Sequence, residues 1–121
     1  MKSILIADDE IDIVEILKEL FEENGFNVVT AADGADALQK AQSARFDLIC
    51  TDFQMPRLNG VKLITALREQ DLNKTTPIIV LTGHIDEARS RCQENPDNKG
   101  LHFQVKPFEF EGLVGLAKRL T

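Results

Sequence analysis

Aliphatic runs alternate along the chain with amphipathic segments. The opening run, Lys2 to Asp8, is a short aliphatic stretch bounded by acids, which is typical of a buried strand. The next segment begins at Ile11, carries five apolar residues at helical spacing, and reaches a left-handed stop at Asn24-Gly25. The apolar residues on that helical face are Ile13, Val14, Leu17, Leu20 and Phe21. A strand followed by an amphipathic helix is therefore the first unit of the chain.

The same two patterns repeat to the end of the sequence. Strands are predicted over residues 2–8, 27–31, 47–52, 77–83 and 101–106. Helices after the first are predicted over residues 35–44, 60–70, 85–95 and 109–120. Five strands alternating with five helices predict an α/β fold whose parallel sheet is covered on both faces. Sheets of this kind bind ligands outside the carboxyl ends of their strands.

Four of the five predicted strands deliver polar side chains to that rim. These are Asp8 and Asp9 after the first strand, Asp52 at the end of the third, Thr82 in the fourth and Lys106 in the fifth. Crowded carboxylates raise one another's pKa, and a hard divalent cation with oxygen ligands removes that repulsion. The pattern predicts a Mg²⁺ site. A lysine and a hydroxyl beside the metal suit a phosphoryl group, and Asp52 can act as the nucleophile that accepts it.

Four segments of the chain, in order and at nearly the family's spacing, resemble the response regulator receiver domain, the CheY-like family. They read IADDE at 6–10, TDFQMPRLNG at 51–60, LTG at 81–83 and VKPF at 105–108. The resemblance covers the whole chain and implies one receiver domain over residues 1–121. It also implies a doubly wound, flavodoxin-like (βα)5 fold with strand order 2-1-3-4-5.

The resemblance also implies roles for individual residues. Asp52 is the phosphoacceptor, Asp8 and Asp9 form the acid pocket, the backbone carbonyl of Phe53 is a metal ligand, and Thr82 and Lys106 contact the phosphoryl group. Met55-Pro56 and Gly60 match the family's loop, and the Lys106-Pro107 bond is expected to be cis. Phe103 is the switching aromatic that follows Thr82. Gln54 and His84 occupy positions where the family tunes the phosphoryl lifetime.

One segment departs from the family's pattern. The stretch from Thr82 to Lys106 is about two residues longer than usual, and it contains the turn-rich ENPDNKG at 94–100, so the fourth helix is expected to end early or shift. Some residues also have ordinary structural interpretations. Asp8, Asp9 and Glu10 taken alone would be a solvated loop or a helix cap, and Phe103 alone would be a core residue.

Together these features predict a phosphorylation-activated binding module. It accepts a phosphoryl group on Asp52, with Mg²⁺, from a sensor histidine kinase or phosphotransfer protein. The response controls a downstream protein through the α4-β5-α5 surface, which is the fourth helix, fifth strand and fifth helix. No enzymatic activity is expected beyond self-phosphorylation from phosphodonors and autodephosphorylation.

Two other classes are weighed against this one. A Mg²⁺-dependent phosphohydrolase working through an aspartyl phosphate would carry a second acid two residues after its nucleophile, where this chain has Gln54, and would need a substrate cap. A flavodoxin-like cofactor binder would need a phosphate-cradling loop after the first strand, where this chain has carboxylates that repel phosphate.

Charge and cysteine content bear on the binding partners and the cellular compartment that are expected for the chain. The net charge is -6, with 8 Lys/Arg against 14 Asp/Glu in residues 1–83 and 6 against 6 in residues 84–121. This balance argues against direct nucleic-acid binding. Cys50 and Cys92 are expected to be separate thiols, which suits a reducing cytoplasm, and no apolar run predicts a membrane span. The chain is expected to be a stand-alone regulator or a receiver domain cut from a larger protein.

Overall fold

A computed structural model of the chain describes residues 1–54, 60–93, 100–106 and 109–121. Its five strands are β1 (Lys2–Ala7), β2 (Phe26–Ala31), β3 (Leu48–Asp52), β4 (Ile78–Thr82) and β5 (Leu101–Val105). Its five helices are α1 (Ile11–Glu23), α2 (Gly34–Ser43), α3 (Gly60–Glu69), α4 (Ile85–Gln93) and α5 (Phe110–Leu120). Three predictions lie outside the described residues: the Met55-Pro56 loop, the end of the fourth helix within ENPDNKG, and the cis bond at Pro107.

The five strands form one parallel sheet in the order β2-β1-β3-β4-β5, which confirms the predicted topology. The register pairs Ala7 with Thr51, Asp52 with Leu81, and Thr82 with Val105. The carboxyl ends of β1, β3, β4 and β5 therefore meet at one edge. β1 and β3 are neighbours although β2 lies between them in the sequence, so the strand order reverses beside this edge.

The sheet separates two hydrophobic layers, and alternate residues of each strand enter opposite layers. Leu5, Ile49 and Val80 pack on the face covered by α2, α3 and α4. Ile4, Cys50 and Ile79 pack on the face covered by α1 and α5. Both cysteines are buried and outside any disulfide, and burial raises the pKa of Cys50 to about 12. The sheet is thus held rigidly between two layers, which fixes the positions of its strand ends.

A polar network connects the elements at the amino ends of the strands, the edge of the sheet opposite to the carboxyl ends. The Asn73 side chain is fully buried; its Oδ1 accepts from the Phe46 amide (2.9 Å) and its Nδ2 donates to the Ala41 carbonyl oxygen (2.7 Å). The Arg68 guanidinium donates to the Thr76 carbonyl oxygen at 2.7 Å. These contacts join the end of α2 to the segments that lead into β3 and β4.

None of the helices in the described ranges has the length and apolar character needed to span a bilayer.

Candidate functional site

Lys106 lies at the centre of the acidic edge of the sheet. Its Nζ is 3.2 Å from Asp8 Oδ2, 3.4 Å from Asp52 Oδ1 and 3.9 Å from Glu10 Oε1. The Lys106 amide donates to the Thr82 carbonyl oxygen at 2.8 Å, which anchors the residue beside the end of β4. The sheet thereby brings together groups that are 98 residues apart in the sequence.

Asp8 is fixed by the turn between β1 and α1. Its side chain is fully buried, and its Oδ1 accepts from the Glu10 amide at 3.0 Å while Oδ2 accepts from Lys106. Glu10 is the N-cap residue of α1 and caps nothing with its own side chain. The carboxylate of Asp8 therefore supports the start of the helix with one oxygen and contacts Lys106 with the other. The helix-capping and the site interpretations of Asp8 are compatible with each other.

Asp52 is a carboxylate placed where ionisation is disfavoured. Its side chain is only 10% exposed at the end of β3. Burial, and then the charge of Asp8, raise the pKa of Asp52 to about 6, although Lys106 and the Gln54 amide act in the opposite direction. A cation at this position would remove the repulsion between the two aspartates.

Lys106 remains protonated in this setting. Burial is the largest single influence and acts to lower its pKa, but the charges of Asp52 and Asp8 outweigh it, and the net pKa is raised. With a side chain 21% exposed, the ammonium can reach a group that enters from solvent while it stays paired with both carboxylates.

The donor set suits a hard cation. Asp8, Glu10 and Asp52 each offer a carboxylate oxygen, and these atoms lie within 4.8 Å of one another. Oxygen ligands with room for water are what Mg²⁺ prefers. Sequence reasoning gave Glu10 no role of its own, although its position directly after Asp8 and Asp9 was a usable signal.

Two predicted ligands are placed differently from this carboxylate set. Asp9 is exposed and does not belong to it within the described residues. The Phe53 carbonyl oxygen accepts from the Gly60 amide at 2.8 Å. A Cβ at position 60 would lie 2.6 Å from that oxygen, which explains the glycine. The roles of Asp9 and Phe53 as metal ligands stay predictions.

Thr82 ends β4, and Gln54 and His84 each follow the end of a site-bearing strand by two residues. Thr82 is buried, and its Oγ1 accepts from the His84 amide at 3.0 Å, a local turn at the start of α4. The side chains of Gln54 and His84 are exposed. The Thr82 hydroxyl is thus held by the chain that leads into α4, and its proton is not needed for that hydrogen bond.

Phe103 is partly buried on β5, where it pairs with Val80 of β4. The guanidinium carbon of Arg89 lies 5.4 Å from the centre of the Phe103 ring. On the other side of α4, Arg91 lies 5.7 Å from the ring of Phe53, the residue after Asp52. Both aromatic residues therefore contact α4 through arginine side chains.

Comparisons with known proteins match this geometry. A sequence model of the response regulator receiver domain matches residues 4–118. The transcriptional regulatory protein PrrA of Mycobacterium tuberculosis is 34% identical over 117 residues, which cover 97% of this chain and 48% of PrrA. The chain spans about half the length, or less, of the curated relatives it matches.

Solved structures of chemotaxis and receiver-domain proteins have the same fold as this chain. The chemotaxis protein CheY4 of Vibrio cholerae has a TM-score of 0.90 and 37% identity, covering 100% of this chain and 99% of CheY4. The receiver domain of the sensor histidine kinase PA1611 from Pseudomonas aeruginosa has a TM-score of 0.87 and 26% identity, covering 98% of this chain and 96% of that one. That structure has a magnesium ion coordinated in its active-site cleft.

The family match covers nearly the whole chain, and the fold and the acidic edge agree with it. The chain belongs to the response regulator receiver domains, the phosphorylation-activated switches of two-component signalling.

Proposed function

We propose that this domain accepts a phosphoryl group on Asp52 from a sensor histidine kinase or phosphotransfer protein, and that the modification changes the α4-β5-α5 surface to control a downstream protein. The observation that carries the proposal is the position of Asp52. It lies at a strand end, 3.4 Å from the Lys106 ammonium and beside the carboxylates of Asp8 and Glu10. A rigid, partly accessible carboxylate with a cation beside it suits nucleophilic attack on phosphorus.

The transfer is a displacement at phosphorus. A carboxylate oxygen of Asp52 attacks the phosphorus of a phosphohistidine, a P–O bond forms, and the P–N bond to the donor breaks. The phosphohistidine ring reacts in its protonated form, so it leaves with the P–N bonding electrons as neutral imidazole, and an acyl phosphate remains on Asp52. Lys106 pairs with the phosphoryl oxygens and neutralises their charge, and Thr82 is placed to donate its hydroxyl proton to them.

Asp8, Glu10 and Asp52 are the carboxylates best placed to hold Mg²⁺, with Asp9 and the Phe53 carbonyl as the further ligands expected from the family. When bound, Mg²⁺ would neutralise charge on the carboxylates and on the phosphoryl oxygens. The raised pKa of Asp52 supports this assignment, because burial beside Asp8 is unfavourable for an ionised carboxylate without a cation.

The response passes from Thr82 to Phe103. When Thr82 turns its hydroxyl toward the new phosphoryl oxygens, the space it leaves favours an inward rotamer of Phe103. A phenylalanine has no hydroxyl to hold it outside, so its two rotamers differ through packing and through the Arg89 contact. Supporting this route, Thr82 and Phe103 lie on neighbouring strands next to α4.

The exposed Gln54 and His84 side chains set the phosphoryl lifetime by controlling how water reaches the acyl phosphate. The Gln54→Ala and His84→Ala variants are expected to change the rate of dephosphorylation, measured by mass spectrometry after removal of the phosphodonor. An unchanged rate in both variants would show that neither residue controls the attacking water. Cys50 and Cys92 are not joined in a disulfide, which suits a cytoplasmic setting for this exchange.

The test is phosphorylation by acetyl phosphate, followed by intact-protein mass spectrometry. The protein is expected to gain one phosphoryl group with Mg²⁺ and none with excess chelator. Asp52→Asn should abolish the gain, whereas Asp71→Asn, which changes an exposed aspartate elsewhere, should leave it intact. A phosphorylated species in Asp52→Asn would assign the acceptor to another residue and overturn the proposal.

A further inference from the structure

Phe53, the residue directly after Asp52, is held by three different elements. Its amide donates to the Leu81 carbonyl oxygen of β4 at 2.9 Å, and its carbonyl oxygen accepts from the Gly60 amide at the start of α3 at 2.8 Å. Its ring is buried in the hydrophobic layer that α4 helps to cover, and the guanidinium carbon of Arg91 lies 5.7 Å from the ring centre. Phe53 therefore connects β4, α3 and α4.

The backbone and the ring of Phe53 both lie against the start of α3. A Cβ at position 60 would be 2.6 Å from the Phe53 carbonyl oxygen, 2.9 Å from its Cα and 3.0 Å from its ring atom Cδ1. Close-packed interiors transmit displacements instead of absorbing them. A movement of the Phe53 ring therefore has to move its carbonyl, and a change in the direction of the carbonyl has to move the ring.

Arg91 is the residue through which α4 contacts that ring. The fully buried residues of α4 are Ala88 and Cys92, and Arg91 lies three positions after Ala88, so it borders the buried side of the helix. Its half-exposed side chain also lies 3.9 Å from Glu87, but a surface ion pair of this kind is worth little. The contact with Phe53 therefore ties this side of α4 to the residue after Asp52.

We propose that Arg91 is a positioning residue for the metal site, which holds the Phe53 ring, fixes the direction of the Phe53 carbonyl and thereby couples cation binding to the position of α4. A carbonyl oxygen has two lone pairs, and the Gly60 amide uses one, so the other stays available to a cation. The cation and Arg91 then act on the same residue. The inference rests on the proposed function, because it concerns how this chain holds the Mg²⁺ of the proposed transfer.

Thermodynamic linkage fixes the direction of the effects. If the Arg91 contact keeps the carbonyl in the orientation that a cation requires, its loss weakens Mg²⁺ binding, and Mg²⁺ in turn stabilises α4 by the same factor. Loss of the Arg91 charge on its own has the opposite effect, because it leaves the surroundings of the carboxylates more negative and favours a cation. Weaker Mg²⁺ binding in a variant without the charge therefore distinguishes positioning from electrostatics.

The test is a Mg²⁺ titration of the full chain, followed through the amide NMR signals of Asp8 and Asp52. Arg91→Gln should weaken Mg²⁺ binding about two- to fivefold, the effect of one exposed cation–π contact. Arg89→Gln is the matched control, because it removes the same charge from the same helix while its ring contact is with Phe103. The control should not weaken binding. Unchanged or tighter binding in Arg91→Gln would overturn the inference.

Two further measurements distinguish positioning from a general loosening of α4. The amide proton of Gly60 reports its hydrogen bond to the Phe53 carbonyl, so its resonance should move in metal-free Arg91→Gln. In a Phe53→Leu background, where the ring is absent, Arg91→Gln should have no further effect on Mg²⁺ affinity. An unmoved Gly60 resonance, or an undiminished effect in that background, would contradict positioning through Phe53. If Phe53→Leu does not fold, the Gly60 resonance decides.

Amide hydrogen exchange measures the reciprocal effect. Mg²⁺ should slow exchange in α4 of the unsubstituted chain by the same two- to fivefold factor, and it should do so less in Arg91→Gln. Equal slowing in the two proteins would mean that the cation acts on α4 by a route that does not include Arg91, and the inference would fail.

The titration also separates this inference from the proposed function. If Mg²⁺ shifts the Asp8 and Asp52 signals with equal affinity in the unsubstituted chain and in Arg91→Gln, the positioning role fails and the proposed function stands. If Mg²⁺ shifts neither signal in the unsubstituted chain, the metal site of the proposed function fails, and the positioning role fails with it.

Discussion

At the scale of single residues, Asp52 has a function that conflicts with stability. Its carboxylate is buried beside Asp8, and these two influences raise its pKa from 3.8 to about 6 despite the contact with Lys106. The folded protein therefore holds this proton more tightly than the unfolded chain does. Between these two pKa values the folded state binds more protons, so Asp52 makes the protein less stable as pH rises.

Asp52→Asn is accordingly expected to stabilise the metal-free protein at neutral pH. A tenfold change in an ionisation constant corresponds to about 1.4 kcal/mol, so the gain in unfolding free energy should be on the order of 1–3 kcal/mol at about pH 7. It should be much smaller near pH 4, where Asp52 is protonated in the folded state and nearly half protonated in the unfolded chain. Urea denaturation in chelator at the two pH values measures it.

Asp71→Asn is the control, since this exposed aspartate contributes no comparable burial. Equal or lower stability of Asp52→Asn at neutral pH would show that Lys106 fully compensates the burial of Asp52. The account of the site as one that needs a cation would then lose its physical basis.

Single residues also show what the sequence could predict. Asp8, Asp52 and Lys106 were predictable because each ends a strand, and parallel strands place their ends together. Glu10 was not assigned, because only the turn after β1 decides which of the adjacent acids faces Lys106. Asn73 was not identified, since its partners Phe46 and Ala41 are 27 and 32 residues away and a lone asparagine in a loop has no periodic signal.

Asn73→Ala should be strongly destabilising. Its side chain makes hydrogen bonds to Phe46, Ala41, Ala44 and Thr76, and removing it leaves buried backbone groups without partners. The expected loss is about 2–4 kcal/mol of unfolding free energy by urea denaturation, with the site chemistry retained. Asn27→Ala, on the exposed side of β2, is the control. Equal effects of the two substitutions would contradict a structural role for the network.

At the scale of elements, α4 is less firmly packed than α5, the other helix of the proposed α4-β5-α5 output surface. Its fully buried residues are the small Ala88 and Cys92, whereas α5 buries Leu113, Val114 and Ala117. The arginines at its two sides supply further contacts with Phe103 and Phe53. A helix held in this way can shift at low cost, which suits the element expected to respond to phosphorylation.

Arg91→Gln should therefore loosen α4 without unfolding the protein. Arg91 is 48% exposed and also lies 3.9 Å from Glu87, a surface pair worth little. Its cation–π contact is worth about 0.5–1 kcal/mol, so amide exchange in α4 should accelerate about two- to fivefold. Hydrogen-exchange mass spectrometry measures this, with Arg45→Gln, at an exposed arginine between α2 and β3, as the control. Unchanged exchange in α4 would mean that the contact with Phe53 contributes nothing to its position.

The elements themselves were largely predictable. Helical and strand periodicity predicted all ten, and among the described residues their ends differ from the structure by at most one residue, as at Asp8 and Gly83. The polar character of α4 was visible in its sequence. Its arginine–aromatic contacts were not, because they depend on how the helix lies against β5 and the residue after β3.

At the scale of the whole molecule, the two edges of the sheet have different roles. At the amino ends of the strands, the Asn73 network satisfies buried polar groups by hydrogen bonds. At the carboxyl ends, the carboxylates of Asp8, Glu10 and Asp52 lie close together in an arrangement that a cation would stabilise. A cation that binds only the folded protein must stabilise it. Its effect must also depend on pH, because the raised pKa of Asp52 makes protons compete with the metal below about pH 6.

Mg²⁺ is therefore expected to raise the thermal midpoint at about pH 7, and to do so progressively less as the pH falls through about 6. Asp52→Asn and Asp8→Asn should both reduce the shift. Differential scanning calorimetry with and without Mg²⁺ measures it, with Ca²⁺ as a test of ion size. If Mg²⁺ raised the thermal midpoint equally above and below about pH 6, the cation would have to bind away from Asp52.

Control of the α4-β5-α5 surface by phosphorylation at Asp52 is tested most directly by chemical-shift mapping of the whole chain with Mg²⁺, in the absence and presence of the phosphoryl mimic beryllofluoride. Shifts are expected at Asp8, Asp52 and Lys106, and further shifts through Thr82 and Phe103 into α4, β5 and α5. These shifts should be lost in Asp52→Asn. Shifts confined to the acidic edge, with α4, β5 and α5 unchanged, would contradict the claim that phosphorylation at Asp52 controls that surface.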